Sequence, residues 1–469
     1  MRSHPLSCER FFVVLLACFT ASARAEPPTL PSRPPNIVFV MADDLGSAEL
    51  SCAGQQRFAT PNLDRFARDG LRFTQAYAGA PVCAPSRCSL LTGRDLGHAY
   101  IRDNADDSSG NQLPIRDEDF TLAESLHAAG YATACVGKWG LGFTGNAGDP
   151  QTQGFDHFFG YLGQVHAHNH YPNYLYDDGK RIELDGKTYA PDLFLERALR
   201  FLDAERERPF FLYYATTVPH LALQVPDDAL AEFADRFEET PYDGKKGYRA
   251  HPKPRAAYAA MVTRLDRDFG ALMAKLDDLG LTEDTIVVFT SDNGATFELG
   301  GYDPKFFAGN GSLRGSKGTL YEGGIRVPSI VRWPKHIAEN RICEQPIAHF
   351  DWFPTLAAIA QSTPPKETEG VDLAPVLVGN GALPERALYF EHAAGGGWQA
   401  AREGNWKIVR RFDAKDRAKS KIELFDLSSD PSEKTDVASS RTEIRDHMSE
   451  LLMDRTRPTV PSFFLPVDR

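Results

Sequence analysis

The chain has 469 residues, of which 42% are hydrophobic and 25% charged, and its formal net charge is −12. This is the composition of a globular protein with material for a large core, sufficient for two domains. The acidic balance argues against nucleic-acid binding.

The N-terminus has the pattern of a secretory signal. Arg2 and Arg10 flank the apolar run 11–19, and the small-residue segment Ala23-Arg24-Ala25 follows. We expect residues 1–25 to be a signal peptide, which directs export to the periplasm or the cell exterior. The run is too short to span a bilayer as a helix. An alternative is a lipoprotein signal, with anchoring through Cys18.

The cysteine count indicates at least one unpaired or modified thiol. Removal of the signal peptide leaves five cysteines, an odd number for an exported protein. No Cys-x-x-Cys or Cys/His zinc spacing occurs. The five are Cys52, Cys83, Cys88, Cys135 and Cys343.

Buried strands alternate with amphipathic helices over the first three quarters of the chain. Continuous apolar runs predict strands, and apolar residues at helical spacing predict helices. This alternation predicts a mainly parallel sheet with helices on both faces. The strands are expected at 36–42, 132–136, 210–215 and 285–290, and the helices at 61–70, 122–130 and 258–279.

Each of these four strands ends close to charged or reactive side chains. In a parallel sheet the ligand binds beyond the carboxyl ends of the strands, so the four ends predict a single site. Taken one at a time, each could equally be a solvated turn. The side chains are Asp43 and Asp44, Lys138, His220, and Asp292 with Asn293.

A different pattern begins near residue 366. Short strand-like pieces separated by turns, followed by a helix at 442–453, predict a small α+β domain with an antiparallel sheet. We therefore divide the mature chain into a catalytic domain, 34–365, and a C-terminal domain, 366–469.

The segment Cys83-Ala84-Pro85-Ser86-Arg87 combines a thiol, a hydroxyl and a cation within five residues. A cysteine at the start of a helix lies in a positive field, and Arg87 adds a full charge. Such a setting would activate a nucleophile or hold an anion. The alternative is a buried structural cysteine.

Together with Leu91-Thr92-Gly93-Arg94, this segment resembles the signature of the type I sulfatases. The resemblance implies their alkaline-phosphatase-like fold, a large mixed, mainly parallel sheet sandwiched by helices. It covers nearly the whole mature chain in the family's order. The other matching blocks are Asp43-Asp44, Gly137-Lys138-Trp139, Pro219-His220, Ser291-Asp292-Asn293-Gly294, Lys317 with Gly323-Gly324-Ile325-Arg326, Trp406-Lys407 and Glu423-Leu424-Phe425-Asp426.

The resemblance implies that a maturation enzyme oxidises Cys83 to formylglycine, whose hydrated aldehyde is the nucleophile. It implies one divalent cation, Ca²⁺ or alternatively Mg²⁺, because the ligands are hard oxygen donors. The implied ligands are Asp43, Asp44, residue 83, Asp292 and Asn293.

The resemblance also implies the catalytic roles. Arg87 would hold the hydrated aldehyde, and Lys138, His220 and Lys317 would contact the sulfate. His220 or Lys317 would donate a proton to the leaving oxygen.

One position departs from the family pattern, where a histidine often stands two residues after the lysine. Here that residue is Gly140. A neighbouring histidine, His168 or His166, could fill the space, water or a metal-bound carboxylate could serve instead, or turnover could be poor. We assign Gln164, His166 and His168 to substrate binding.

The function predicted from these residues is that of an exported sulfatase acting on a sulfated small molecule or glycan, with a carbohydrate favoured. The alternatives are a phosphonate or phosphate ester hydrolase of the same superfamily, and a non-catalytic binder of sulfated glycans in which Cys83 stays a thiol.

Overall fold

A computed structural model describes Met1 and residues 34–104, 112–379, 381–416 and 418–453. Nearly all of the predicted signal peptide, with Cys18, lies outside the described residues. Across the part of the chain that is described, none of the helices has the length and apolar character needed to span a membrane.

An eleven-stranded mixed sheet forms the centre of the molecule. Its order from one edge to the other is β10 (Arg341–Cys343), β2 (Leu71–Tyr77), β9 (Arg326–Arg332), β8 (Thr285–Ser291), β1 (Asn36–Ala42), β7 (Phe210–Ala215), β3 (Ala132–Lys138), β4 (His157–Tyr161), β5 (Tyr174–Asp177) and β6 (Lys180–Glu183), and β11 (Ile347–Ala348) pairs with β2.

The four strands predicted from the sequence are neighbours in this sheet, in the order β8, β1, β7, β3, and all pair in parallel. On one side of them, β9 pairs antiparallel with both β8 and β2. On the other side, β4 pairs parallel with β3, and β5 pairs antiparallel with β4 and β6. The predicted mixed, mainly parallel sheet is confirmed.

Apolar cores lie on both faces of the sheet because the strands alternate their side chains. In β1, Val38 and Val40 join one core while Ile37 and Phe39 join the other. Helices cover both cores. They are α1 (Pro61–Arg68), α2 (Cys83–Thr92), α3 (Leu122–Ala128), α4 (Ala190–Ala204), α5 (Asp227–Ala231), α6 (Pro254–Asp278), α7 (Pro304–Phe307), α9 (Trp352–Ala360) and α10 (Ala374–Leu377). The short helix α8 (Glu322–Ile325) instead contributes Ile325 to a third apolar cluster.

The C-terminal region forms a separate four-stranded antiparallel sheet, as predicted. Its strands follow chain order: β12 (Ala387–His392), β13 (Trp398–Glu403), β14 (Trp406–Phe412) and β15 (Ser420–Asp426). Helix α11 (Thr442–Met453) packs on this sheet through Met448 and Leu452. The boundary at 365/366 stays a prediction, since residues 34–453 belong to one compact unit.

A buried ionic cluster ties this second sheet to the loop that precedes α8. Lys407 Nζ on β14 lies 2.8 Å from Glu322 Oε1 and 2.9 Å from Glu433 Oε1. The Glu322 N–H donates to Glu433 Oε2 at 2.6 Å. Glu322 is the first residue of α8, and Lys317 lies on the loop directly before it. The C-terminal sheet therefore anchors the segment that carries this lysine.

Candidate active site

The carboxyl ends of the four central strands bring the predicted side chains together. Asp43 and Asp44 follow β1, Lys138 ends β3, and Asp292 follows β8, and all four are buried. Their meeting at one sheet edge follows from the parallel pairing.

Three carboxylates and one amide lie side by side at this edge. The Asp44 N–H donates to Asp292 Oδ1 at 3.0 Å, and Asn293 Nδ2 donates to Asp44 Oδ1 at 2.8 Å. Ligand atoms of Asp43, Asp44, Cys83 and His220 all lie within 4.8 Å of one another. Carboxylates this close repel each other unless a cation neutralises them.

The donor set fits a hard divalent cation. Asn293 Oδ1 is buried and has no hydrogen-bond partner among the described residues, while the amide nitrogen of the same side chain is bonded twice. A buried acceptor without a partner is costly, and a cation held by carboxylate and amide oxygens would satisfy it.

Cys83 is the first residue of α2 and is 1% exposed. Its Sγ lies 3.5 Å from Asp43 Oδ1 and 3.4 Å from Lys317 Nζ. Burial, with Asp292 adding its negative charge, raises the pKa of the thiol to about 12. The unmodified thiol is therefore protonated at neutral pH and is a weak nucleophile.

The described cysteines, Cys52, Cys83, Cys88, Cys135 and Cys343, are all free of disulfides. The prediction of at least one unpaired thiol is confirmed for this part of the chain.

Arg87 binds the neighbours of Cys83 instead of its thiol. Its Nη2 and Nε donate to Asp292 Oδ2 at 2.8 and 3.2 Å, and its Nη1 donates to the Lys138 carbonyl at 2.7 Å. Arg87 thus fixes a carboxylate and the end of β3.

Lys138 neutralises Asp43 through a contact of 2.7 Å between Nζ and Oδ2. Burial alone would raise the pKa of Asp43, but the charges of Lys138, His220 and Arg87 outweigh burial, and that pKa lies well below its usual range. Asp43 is therefore ionised at neutral pH.

Lys317, on the loop that precedes α8, contacts both Asp44 and His220. Its Nζ lies 2.7 and 2.9 Å from the two oxygens of Asp44 and 3.1 Å from His220 Nε2. His220 Nδ1 lies 2.5 Å from the Leu221 carbonyl, which can only accept. His220 therefore carries its hydrogen on Nδ1, and Nε2 accepts from the Lys317 ammonium.

His170 supports His220, a role that the sequence did not reveal. Its Nε2 donates to the His220 carbonyl at 3.0 Å and its Nδ1 contacts Thr217 Oγ1 at 3.0 Å. A fully bonded buried imidazole has no sequence signal that separates it from a loop histidine.

The two other loop histidines occupy different environments. His168 stacks on His220, with ring centroids 4.6 Å apart, and burial together with the charges of Lys138 and Lys317 lowers its pKa to about 3. His166 instead packs against Tyr161 and Tyr174 at 4.8 and 4.1 Å. Of the two, His168 is brought into contact with the predicted catalytic residues.

Gln164, rather than His166 or His168, fills the space beside Gly140. A β-carbon on residue 140 would collide with Gln164 Nε2, and Gly140 has φ +77°, where glycine is favoured. Gln164 is 8% exposed, yet neither its amide oxygen nor its amide nitrogen has a hydrogen-bond partner among the described residues. The absence of a side chain at 140 makes room for this unbonded carboxamide.

The fold and the clustered side chains define an alkaline-phosphatase-like hydrolase. The sulfatase family model matches residues 35–362, and the model described as N-sulphoglucosamine sulphohydrolase, C-terminal, matches residues 316–457. The chain therefore belongs to the sulfatase family and is a sulfuric ester hydrolase.

Individual sulfatases are similar to this chain in sequence or in structure. Human arylsulfatase A is 36% identical over 399 residues, which cover 76% of this chain and 71% of the relative. The N-acetylgalactosamine-6-O-sulfatase of Bacteroides thetaiotaomicron is 30% identical over 504 residues, covering 90% and 93%. The crystal structure of Ps i-CgsB in complex with k-i-k-neocarrahexaose is similar with a TM-score of 0.79 at 28% identity, covering 92% of this chain and 95% of that chain.

Proposed function

We propose that this protein is an exported sulfatase that hydrolyses a carbohydrate sulfate ester, using a formylglycine made from Cys83 and one Ca²⁺ or Mg²⁺ ion. The observation that carries the proposal is the position of residue 83. It lies within 3.5 Å of both a carboxylate of the oxygen cluster and the Lys317 ammonium.

The two implied groups would supply the nucleophile and the Lewis acid. A hydrated formylglycine offers one hydroxyl to attack sulfur and a second whose deprotonation releases sulfate, which a thiol or serine lacks. A divalent cation stabilises negative charge on the reacting oxygens. Asp43, Asp44, Asp292 and Asn293 would hold the cation together with residue 83.

The chain's own cations would bind the anionic ester. Lys317 Nζ lies 3.4 Å from Cys83 Sγ, and Lys138 Nζ lies 2.7 Å from Asp43, which itself contacts Cys83, so both ammonium groups would be available to the oxygens of a sulfate bound at residue 83. Lys317 would also protonate the leaving oxygen, since in its hydrogen bond with His220 the proton lies on the lysine. His220 would orient Lys317, and Arg87 would orient Asp292.

A carbohydrate substrate is supported by the relatives. One relative is named N-acetylgalactosamine-6-O-sulfatase, and one similar structure is a complex with k-i-k-neocarrahexaose. Export is supported by the signal pattern at residues 1–25, which suits a glycan met outside the cytoplasm.

The proposed sulfatase activity can be measured directly as the release of inorganic sulfate. The protein, produced together with a formylglycine-generating enzyme, should hydrolyse 4-nitrophenyl sulfate and at least one member of a panel of monosaccharide sulfates. A phenylphosphonate ester should react more slowly. Faster turnover of the phosphonate would favour the phosphonate hydrolase, and binding without turnover would favour the non-catalytic binder.

Replacement of Gln164 by methionine should raise stability and lower activity. Because the amide makes no hydrogen bond to the described residues, its removal should raise the free energy of unfolding by about 1 kcal/mol. If the carboxamide binds the substrate or the hydrated residue 83, kcat/KM should fall by about 10- to 100-fold. Calorimetry and sulfate release measure the two effects.

The matched control is Gln153→Met. The Gln153 amide is also buried and its oxygen likewise has no partner among the described residues, but its nitrogen donates to the Ala147 carbonyl at 2.7 Å, so the loss of this hydrogen bond should destabilise the protein. A fall in stability for Gln164→Met equal to that of the control, with full activity, would contradict a binding role for Gln164.

A further inference from the structure

A buried histidine of the C-terminal sheet lies beside the loop that carries Lys317. His392 ends β12 and is 4% exposed. Its Nε2 would lie 4.0 Å from a β-carbon on Gly318, the residue that follows Lys317. The Gly318 N–H in turn donates to the Pro81 carbonyl at 2.9 Å, two residues before Cys83.

Asp103 connects the same histidine to the start of α2. Its Oδ1 lies 3.8 Å from His392 Nδ1 and accepts the Asn104 N–H at 2.8 Å. Asn104 Oδ1 accepts the Ala84 N–H at 2.8 Å. The pair of Asp103 and His392 therefore lies between the two segments that deliver Cys83 and Lys317.

The hydrogen-bonding capacity of this pair is only partly used within the described residues. His392 Nδ1 is buried without a hydrogen-bond partner, and 3.8 Å is too long for a bond to Asp103. The Asp103 side chain is 19% exposed, which gives the pair a side open to solvent. An unsatisfied buried nitrogen beside an accessible carboxylate is an arrangement that a ligand could complete.

We propose that Asp103 and His392 form a subsite that binds adjacent hydroxyl groups of the sugar that carries the sulfate. The inference rests on the proposed function and adds a specificity element to it. The carboxylate accepts a hydrogen bond from one hydroxyl, and the imidazole bonds the next.

The charge of the pair determines which substituents it accepts. Burial lowers the pKa of His392, so the imidazole is neutral, and Asp103 has no other ion-pair partner among the residues that the structure describes. A second sulfate or a uronic carboxylate at this position would be repelled, whereas neutral hydroxyls would be bound. The subsite therefore selects sugars with free hydroxyls next to the reacting ester.

The test compares a sugar sulfate with an aryl sulfate that has no sugar hydroxyls. Asp103→Asn and His392→Gln should each lower kcat/KM for the best monosaccharide sulfate by about 10- to 100-fold, mainly through KM. The loss on 4-nitrophenyl sulfate should be at least about tenfold smaller. His447→Gln, on α11 of the same C-terminal region, is the control and should retain both activities.

Deoxy analogues of the sugar sulfate test the subsite in the wild-type protein, so the test does not depend on the folding of a variant. The wild-type protein should prefer the complete sugar sulfate over its vicinal deoxy analogues by about tenfold or more, and folded variants should lose that preference. Equal losses on both substrates, or no preference against deoxy sugars, would overturn the subsite alone. Turnover of aryl sulfate with no sugar sulfate accepted would overturn the carbohydrate assignment as well.

Discussion

Cys83→Ala should lower kcat for 4-nitrophenyl sulfate by at least about 10⁴-fold, because it removes the thiol group whose oxidation converts the β-carbon of residue 83 into the aldehyde. Cys83→Ser should be almost as inactive in steady state. Its hydroxyl could be sulfated once but offers no second hydroxyl for release, so the peptide that contains residue 83 should gain about 80 Da, the mass of SO₃. Sulfate release and peptide mass measure the two variants.

The chain provides a matched control in the same helix. Cys88 is also buried on α2, among apolar residues, and its thiol is free. Cys88→Ala should cost some stability through lost packing but retain kcat. If both alanine variants lost activity equally, the effect would be one of helix packing and the nucleophile assignment would be wrong.

Asp292→Asn should remove both the metal ion and the activity. Asp292 accepts from the Asp44 N–H and from Arg87, so the neutral amide would weaken the cation site and leave Arg87 without its carboxylate. We expect kcat to fall by about 10³-fold or more. Elemental mass spectrometry measures the metal content of the variant, and sulfate release with added Ca²⁺ or Mg²⁺ measures its turnover.

Glu49→Gln is the control for a buried carboxylate near the site. Glu49 accepts from Gly46 N–H, Tyr258 and Tyr302, and burial raises its pKa to about 7 despite these hydrogen bonds. The neutral form is therefore already accessible, and the variant should retain metal and turnover. A full complement of metal in Asp292→Asn would contradict the proposed ligand set.

The centre of the fold could be predicted because its strands are buried on both faces. The runs that form β1, β3, β7 and β8 are continuous and apolar, and each was recognised within two residues at either end. Two of the outer strands, β2 and β6, lack this signal. In β2 and β6 several residues are partly or fully exposed, so neither shows a continuous apolar run.

The residues of the candidate site likewise fall into those that the sequence predicts and those that it does not. Residues at or directly after strand ends, such as Lys138 and Asp43, could be predicted because the parallel pairing of the strands determines where their carboxyl ends meet. The partners of Gly140 and His220 could not, since they depend on how the loop after β4 folds back. Gln164 lies in the space that a side chain at position 140 would occupy, and a single hydrogen bond, from His170 Nε2 to the His220 carbonyl, joins His170 to His220.

We expect residue 83 of the active protein to be formylglycine. The most direct measurement is the mass of the tryptic peptide spanning residues 73–87, taken from protein with measured sulfate release. We expect a peptide lighter than the unmodified one by about 18 Da, the difference between a thiol-bearing CH₂SH and an aldehyde, with activity proportional to the converted fraction. Full activity in protein whose Cys83 is entirely an unmodified thiol would contradict the account.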